Sequence, residues 1–249
     1  LSAALILGAS GFGALVAAAL LLRSIGPGLR LGRLLAGTTS VSIDEALALA
    51  RDGKSRYVRV SGRITSDEEF PDDQDRPLVF RRTRVEIARG IGGGTGQRPG
   101  QWATILDERE AVPFAIETRS TSIAVDEAVL SEGLVVIPRE SLGQVRDLPA
   151  DLAASVNVEL TAEDAARLTI QQLSAVEHAT VCGVPMVGER GPLISAGLGR
   201  PLIVTTLDQS AAMRLLAGGR RGQVAIGAAL LAGGLALLVA ALTAFLIGR

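Results

Sequence analysis

Val224-Ala225-Ile226-Gly227-Ala228-Ala229-Leu230-Leu231-Ala232-Gly233-Gly234-Leu235-Ala236-Leu237-Leu238-Val239-Ala240-Ala241-Leu242-Thr243-Ala244-Phe245-Leu246-Ile247 runs without a charged residue. A second uncharged run, Leu1–Leu22, reads LSAALILGASGFGALVAAALLL. At ~1.5 Å rise per residue the two reach roughly 36 and 33 Å as helices, and a hydrocarbon core is about 30 Å thick. The sequence therefore predicts a membrane-anchored α+β protein: a β-rich domain with a few short helices between two transmembrane helices. The predicted division is residues 1–22 as the first transmembrane helix and 23–40 as a juxtamembrane segment. Residues 41–218 form the β-rich domain, 219–223 a basic linker and 224–247 the second transmembrane helix.

A signal peptide is the other reading of Leu1–Leu22. It calls for a basic start and an apolar region of ~7–15 residues, whereas here the basic residues follow the run, at Arg23, Arg30 and Arg33. Neither run holds Asp, Glu, Lys, Arg, His, Asn or Gln. Ion and proton pathways through a membrane depend on such groups, so both runs read as anchors. Ala9, Gly13 and Ala17 recur every fourth residue, as do Ala225, Ala229 and Gly233. Small faces of this kind let helix backbones approach closely, although an Ala/Gly-rich helix produces the spacing by chance as well.

Basic residues flank the runs at Arg23, Arg30, Arg33, Arg214, Arg220 and Arg221, against Arg249 beyond the second run. Basic flanks are retained inside, which predicts an integral membrane protein with a cytoplasmic domain; a periplasmic or extracellular domain is the alternative. Net charge is −1 from 25 basic and 26 acidic residues, which gives no nucleic-acid footprint. The lipid bilayer and an unidentified membrane or peripheral protein are the expected partners.

Between the runs, Gly26-Pro27-Gly28 predicts a helix break. Ser42-Ile43-Asp44-Glu45 has the form of a capping box, with Gly53 as the residue that ends the helix. Val58, Val60, Gly62 and Ile64 alternate with Arg59, Ser61 and Arg63, the pattern of a half-buried strand. Residues 67–76, acidic and carrying Pro71, read as a solvated loop. Leu78–Ala88 and Gln101–Asp107 read as a hairpin whose tip is the glycine-rich stretch 90–100. Val112–Thr118 and Ser122–Val125 form another hairpin about Arg119, and Leu134–Ile137 a short strand. Thr161–Leu173 predicts a helix, Ala179–Val187 and Leu202–Thr206 strands, and Asp208–Ala217 a short helix.

Chemistry is sparse. The run Gly90-Ile91-Gly92-Gly93-Gly94-Thr95-Gly96 lacks the following helix and the Gly-Lys-Ser/Thr ending of a phosphate loop, so a flexible hairpin tip is the preferred reading. His178 and Cys182 are the only residues of their kinds. On a strand they share a face but lie ~13 Å apart, too far for a nucleophile and its base, and they are too few for zinc. A buried structural Cys182 and a hydrogen-bonded His178 are expected. Asp67, Glu68, Glu69, Asp72, Asp73 and Asp75 lack EF-hand spacing. No catalytic residue, metal or cofactor is implied.

Trp102-Ala103-Thr104-Ile105-Leu106-Asp107-Glu108-Arg109, Val112-Pro113-Phe114, Ala179-Thr180-Val181-Cys182-Gly183-Val184 and Gly191-Pro192-Leu193-Ile194-Ser195 follow one another between the apolar runs. This order resembles the GIDE ("beside a membrane") domain, found in the mitochondrial ubiquitin ligase activator family and in many prokaryotic membrane proteins. The resemblance implies a β-rich domain between two spans of a bacterial cell membrane, with Trp102, Asp107, Glu108, Arg109, Pro113, Phe114 and Gly183 as signature positions of structural role. In the eukaryotic member the domain lies in the intermembrane space, and a RING after the second span carries the E3 ubiquitin ligase chemistry. The RING requires paired Cys and His ligands, so this chain is expected to lack that module. The family's usual Cys before the second strand is replaced by Arg76-Pro77-Leu78. The expected function is a membrane-anchored scaffold that recruits or stabilises partner proteins, or an accessory subunit of a membrane complex. The alternative is a ubiquitin-transferase-like or other membrane-bound enzyme.

Overall fold

The computed structural model describes residues 2–88, 102–119, 121–130, 133–150, 152, 163–217 and 221–247. The predicted hairpin tip at 90–100 lies outside them. The chain divides into two compact units, Thr38–Asp208 and the pair of terminal segments Leu1–Gly37 and Gln209–Arg249.

In the terminal unit, α1 (Ser2–Gly37) packs along α4 (Arg221–Ile247) and against α3 (Gln209–Ala217). Two expectations fail here. The first is the pair of transmembrane helices. Among the described residues one helical segment, Ala225–Ala244, is long and apolar enough to cross a membrane. The apolar part of α1 is Leu5–Leu21, short of the ~20 residues that a bilayer demands. The second is the break at Gly26-Pro27-Gly28, which α1 passes without interruption. Packing prevails over propensity here: Leu31 and Leu35 are buried, and the space a side chain on Gly32 would fill is taken by Met213 of α3.

Ala9, Gly13, Ala17, Ala225, Ala229 and Gly233 are exposed, and a Cβ on Gly13 or Gly233 would meet nothing. The helices cross instead at Gly11 and Gly234: a Cβ on Gly11 would sit 2.9 Å from the Gly234 carbonyl oxygen, and one on Gly234 3.0 Å from that of Gly11. Side chains at these positions would push the backbones apart.

The second unit is β-rich. Ser42 caps α2 (Ile43–Arg51), its hydroxyl accepting from the Glu45 amide at 3.1 Å, and Gly53 follows with φ +65°. The strands are β1 (Val58–Thr65), β2 (Phe70–Pro71), β3 (Pro77–Ala88), β4 (Trp102–Ala111), β5 (Phe114–Thr118), β6 (Thr121–Val125), β7 (Leu134–Val135), β8 (Arg139–Gln144), β9 (Ala165–Ser174), β10 (His178–Gly188), β11 (Gly191–Ser195) and β12 (Ile203–Thr205).

Five of them close a ring. β1 pairs antiparallel with β10 and with β5, β5 with β6, and β10 with β11, while β6 and β11 run parallel. Taken in chain order the ring reads first, second, third, fifth, fourth and back to first, the five-stranded Greek-key arrangement of OB-type barrels. The predicted alternation of β1 points Val58, Val60 and Ile64 inward, to join Phe114, Ile116, Ile123, Val181 and Ile194 in the core. Ile43 and Ala46 of α2 also belong to this core. β12 extends β10, and β7 lies parallel to β12.

The connections β1-to-β5 and β6-to-β10 leave the barrel to build a second, antiparallel sheet in the order β4-β3-β9-β8. Within the stretch predicted as a helix, Thr161–Leu173, the described residues from Ala165 onward lie in β9 instead. Its Ala, Leu and Gln residues favour a helix alone, but pairing on both edges, with β3 and β8, decides otherwise. β8 escapes the sequence reading because Arg139–Gln144 is exposed almost throughout and shows no apolar alternation.

Candidate functional site

The second sheet meets the barrel at a cleft of about 450 Å³. Its walls come from the turn before β3 (Arg76), the start of β8 (Arg139), β9 (Gln172), the first residue of β10 (His178) and the segments after β7 and β12 (Ile137, Leu207). It is the size of a small-molecule pocket.

Asp72 organises the polar wall. It stands in the stretch predicted to be a solvated acidic loop, yet its side chain has no accessible surface. Its Oδ1 accepts the amides of Gln74 and Arg76 at 2.8 and 2.9 Å. Asp75, between them, has φ +57°. Oδ2 accepts Nε of Arg76 at 2.7 Å and faces a guanidinium nitrogen of Arg139 at 4.0 Å. A burial of this kind requires that every lone pair find a donor. The Arg76 guanidinium and the two amides outweigh desolvation and hold the Asp72 carboxyl at a pKa of about 2. Arg76 also donates to Oε1 of Gln172 at 3.4 Å. The other lining groups have their own roles. The Ser174 hydroxyl donates to the Pro77 carbonyl at 2.9 Å, and the Glu177 carboxylate accepts the Ser174 amide at 3.4 Å. His178, expected to be a satisfied histidine, is exposed at the cleft.

A second ionic cluster lies on one face of the β4-β3-β9 sheet. Arg82 donates Nε and a terminal nitrogen to the two oxygens of Asp107 at 2.7 and 2.6 Å, and Arg84 donates to Asp107 at 3.3 Å. The Arg82 hydrogen bonds lead in holding the Asp107 carboxyl at about 2. Arg167 lies 3.6 Å from Glu86 and 4.1 Å from the centre of the Trp102 ring, a cation–π contact.

The signature positions are divided between the two layers. Trp102, Asp107, Glu108 and Arg109 stand on β4, all with exposed surface. Phe114 is 3 % exposed within the barrel. Pro113 is exposed, and its carbonyl accepts the Ser66 hydroxyl at 2.6 Å. Gly183 is fixed by space: a Cβ would lie 2.5 Å from Cγ2 of Ile194 and 2.6 Å from the Ser195 carbonyl oxygen.

Of the flanking arginines, Arg30 and Arg33 are on α1, Arg214 on α3, and all three are exposed. Arg23 and Arg221 lie within α1 and α4, and Arg220 lies outside the described residues. Cys182 is buried, as expected, and burial pushes its thiol up to about 12 against the pull of Arg59. At neutral pH the thiol is therefore protonated. Tyr57 is raised above its ordinary range by burial first and by Cys182 second; its hydroxyl donates to the Pro201 carbonyl at 2.7 Å. Among the described residues no group of three or more His, Cys, Asp or Glu is placed to hold a metal ion.

Sequence reasoning passed over the cleft. Its signal was local: Asp72, two residues before Gln74 and four before Arg76, is the spacing of an aspartate that folds a turn around its own carboxylate. Arg139 is contributed from far along the chain and had no such signal. No family model, curated protein or solved structure matches this chain.

Proposed function

We propose that this protein is a membrane-associated binding module, whose folded unit Thr38–Asp208 recruits or stabilises partner proteins at the bilayer, as a scaffold or as an accessory subunit of a membrane complex. One observation carries the reading. Ala225–Ala244 is free of charge, and only 11% of it is buried within the structure. Ile226, Leu235, Val239 and Leu242 are each more than half exposed. Leaving that surface in water costs about 25 cal/mol per Å², and a bilayer removes the cost. The order of motifs that resembles the GIDE domain points the same way.

The folded unit is assigned to the cytoplasm, because Arg214, Arg220 and Arg221 precede the apolar segment and basic flanks resist translocation. Extraction of membranes with alkaline carbonate should leave the full chain in the pellet, and Leu235→Glu with Val239→Glu should move it to the supernatant. Wild-type protein in the supernatant would overturn the reading. A Cys introduced at Glu189, in the exposed turn between β10 and β11, reports the side. Cys182 is buried and gives no background. Labelling of intact cells by a membrane-impermeant maleimide would place the unit outside. Crosslinking of gently solubilised protein followed by mass spectrometry should recover a stoichiometric partner; a monomer throughout would argue against recruitment.

A further inference from the structure

The free edge of the second sheet carries a self-complementary pattern. β4 is 10 residues long, most of them exposed, and among the described residues it pairs with β3 alone. A strand edge of that length is a template for another strand. Its pairing with β3 slips by one residue. Glu86 stands opposite Thr104 but Val85 opposite Leu106, so Ile105 is the extra residue of a bulge. Residues directly opposite one another share a face of the sheet. Trp102, Thr104, Asp107 and Arg109 therefore share the face of Ala88, Glu86, Arg84 and Arg82, while Ala103, Leu106 and Glu108 share that of Ile87, Val85 and Thr83. Before the bulge the even-numbered residues lie on the ionic face, and after it the odd-numbered ones.

The slip decides what fits alongside. A regular strand that matches faces with one half of β4 presents the wrong faces to the other half. A second copy of β4, antiparallel and with the two-fold axis at the bulge between Ile105 and Leu106, matches both. In that register Trp102 meets Arg109 of the second copy, Ala103 meets Glu108, Thr104 meets Asp107 and Ile105 meets Leu106, each contact occurring twice. No like charges are opposed. Registers confined to the half after the bulge set Asp107, Glu108, Arg109 or Glu110 opposite its own counterpart. Arg109 is exposed and among the described residues has no ion pair. Trp102 is 36% exposed, with Arg167 4.1 Å from its ring centre. Arg109 of the second copy takes a place beside the same ring, as a further cation–π contact.

We propose that this protein forms a two-fold dimer through β4, in which the second sheets of two copies join into one continuous antiparallel sheet across reciprocal Trp102–Arg109 contacts. The proposal stands apart from the membrane reading, since it concerns an edge of the folded unit and is tested whether or not the chain is membrane-bound.

The test uses the full chain in mild detergent, with the register read by disulfide formation under a mild oxidant. Ala103→Cys with Glu108→Cys places two thiols roughly 16 Å apart along one strand, too far to join, but sets their Cβ atoms ~4.5–5.5 Å apart across the dimer. This variant should run as a covalent dimer on a non-reducing gel, and Cys182 is buried and gives no background. Ala103→Cys with Glu110→Cys should crosslink about tenfold less, because its closest thiols are diagonal neighbours ~7–8 Å apart. Charge supplies a second reading. Ala103→Glu opposes like charges twice across the axis and should raise the dimer dissociation constant about tenfold in analytical ultracentrifugation. Adding Glu108→Lys makes the opposed charges opposite in sign and should restore the dimer, a recovery that a merely misfolded Ala103→Glu variant would not show. A monomer at all concentrations, equal crosslinking by the two cysteine pairs, or a dissociation constant that Ala103→Glu leaves unchanged or Glu108→Lys fails to restore would overturn the proposal.

Discussion

Phe114 and Trp102 both belong to the predicted signature, and their strands follow one another in the chain, yet the fold treats them differently. Phe114 opens β5 in the barrel and is 3% exposed; Trp102 opens β4 in the second sheet and is 36% exposed, its ring beneath Arg167. The same contrast separates the layers around them. The barrel interior is Val, Ile, Leu, Ala and Phe, held by the removal of apolar surface from water. One face of the sheet carries Arg82, Arg84, Arg167, Glu86 and Asp107, where ion pairs occupy positions that apolar side chains fill in the barrel. Apolar burial carries no titrating group and is not screened by ions, while the ionic layer answers to pH and to screening. The two regions should therefore fail under different conditions.

The largest single effect is expected in the barrel. Phe114→Ala leaves a hole among packed neighbours that the closed ring cannot collapse to fill, and about 3–5 kcal/mol should be lost, read as a lower urea midpoint with an unchanged slope. A loss below about 1 kcal/mol would show that β5 is not part of a rigid core, and the contrast would be broken from the barrel side.

Acid should act on the other side of the contrast. The carboxyls of Asp72 and Asp107 are both held at about 2 in the folded protein, below the ~3.9 of an unfolded aspartate. The unfolded chain therefore binds protons first as the pH falls. The stability these groups contribute is fully present above the unfolded value and is lost as the pH falls towards about 2. Urea midpoints should be level for these groups from pH 7 to pH 5 and should then decline. Asp107→Asn should flatten part of that decline.

At pH 7 the same Asp107→Asn substitution should cost about 1–2 kcal/mol. It puts one neutral acceptor in place of the bidentate carboxylate that meets the Arg82 guanidinium, whose side chain is 10% exposed. The value lies below that of a fully buried pair because the Asp107 side chain is 30% exposed and solvent screens it. A loss equal to that of Phe114→Ala would show that the ionic layer is as deeply committed as the core.

The barrel was also the legible half. The alternation in Val58–Ile64, the Ser42 cap, Gly53 and the hairpin at Arg119, which adopts φ +52°, are local signals, and the strands they announce are present. The sheet is assembled from segments whose local preferences point elsewhere. Ala165–Ser174 favours a helix until β3 and β8 supply its backbone partners. Arg139–Gln144 has no apolar face to announce a strand. Asp72 resembles its acidic neighbours in composition and differs from them by having Arg76 to hold. In the terminal unit the apolar runs were visible, but composition could not say that α1 continues past Pro27 or that Gly11 and Gly234, and not Gly13 and Gly233, meet. Register between two helices is set by side chains facing one another, which spacing within one helix does not reveal.

The smallest effect tests the contrast where it is sharpest. From size alone, Trp102→Ala would be expected to match the loss of a buried aromatic. At 36% exposure much of the ring already faces water, and the hydrophobic term shrinks accordingly. What remains is the stack beneath Arg167, at 4.1 Å from the ring centre, worth about 0.5–1 kcal/mol at an exposed site, plus the partial burial of the ring. Trp102→Ala should therefore cost about 1–2 kcal/mol, well short of Phe114→Ala. Trp102→Phe should recover part of it, since a smaller ring still presents a face to the guanidinium. Arg167 is shared between Trp102 and Glu86. A double-mutant cycle of Trp102→Ala with Arg167→Gln isolates the stack, and its coupling should vary little with salt compared with that of the Arg82–Asp107 pair. A coupling near zero would assign the whole cost to apolar burial, and would place Trp102 with the barrel residues after all.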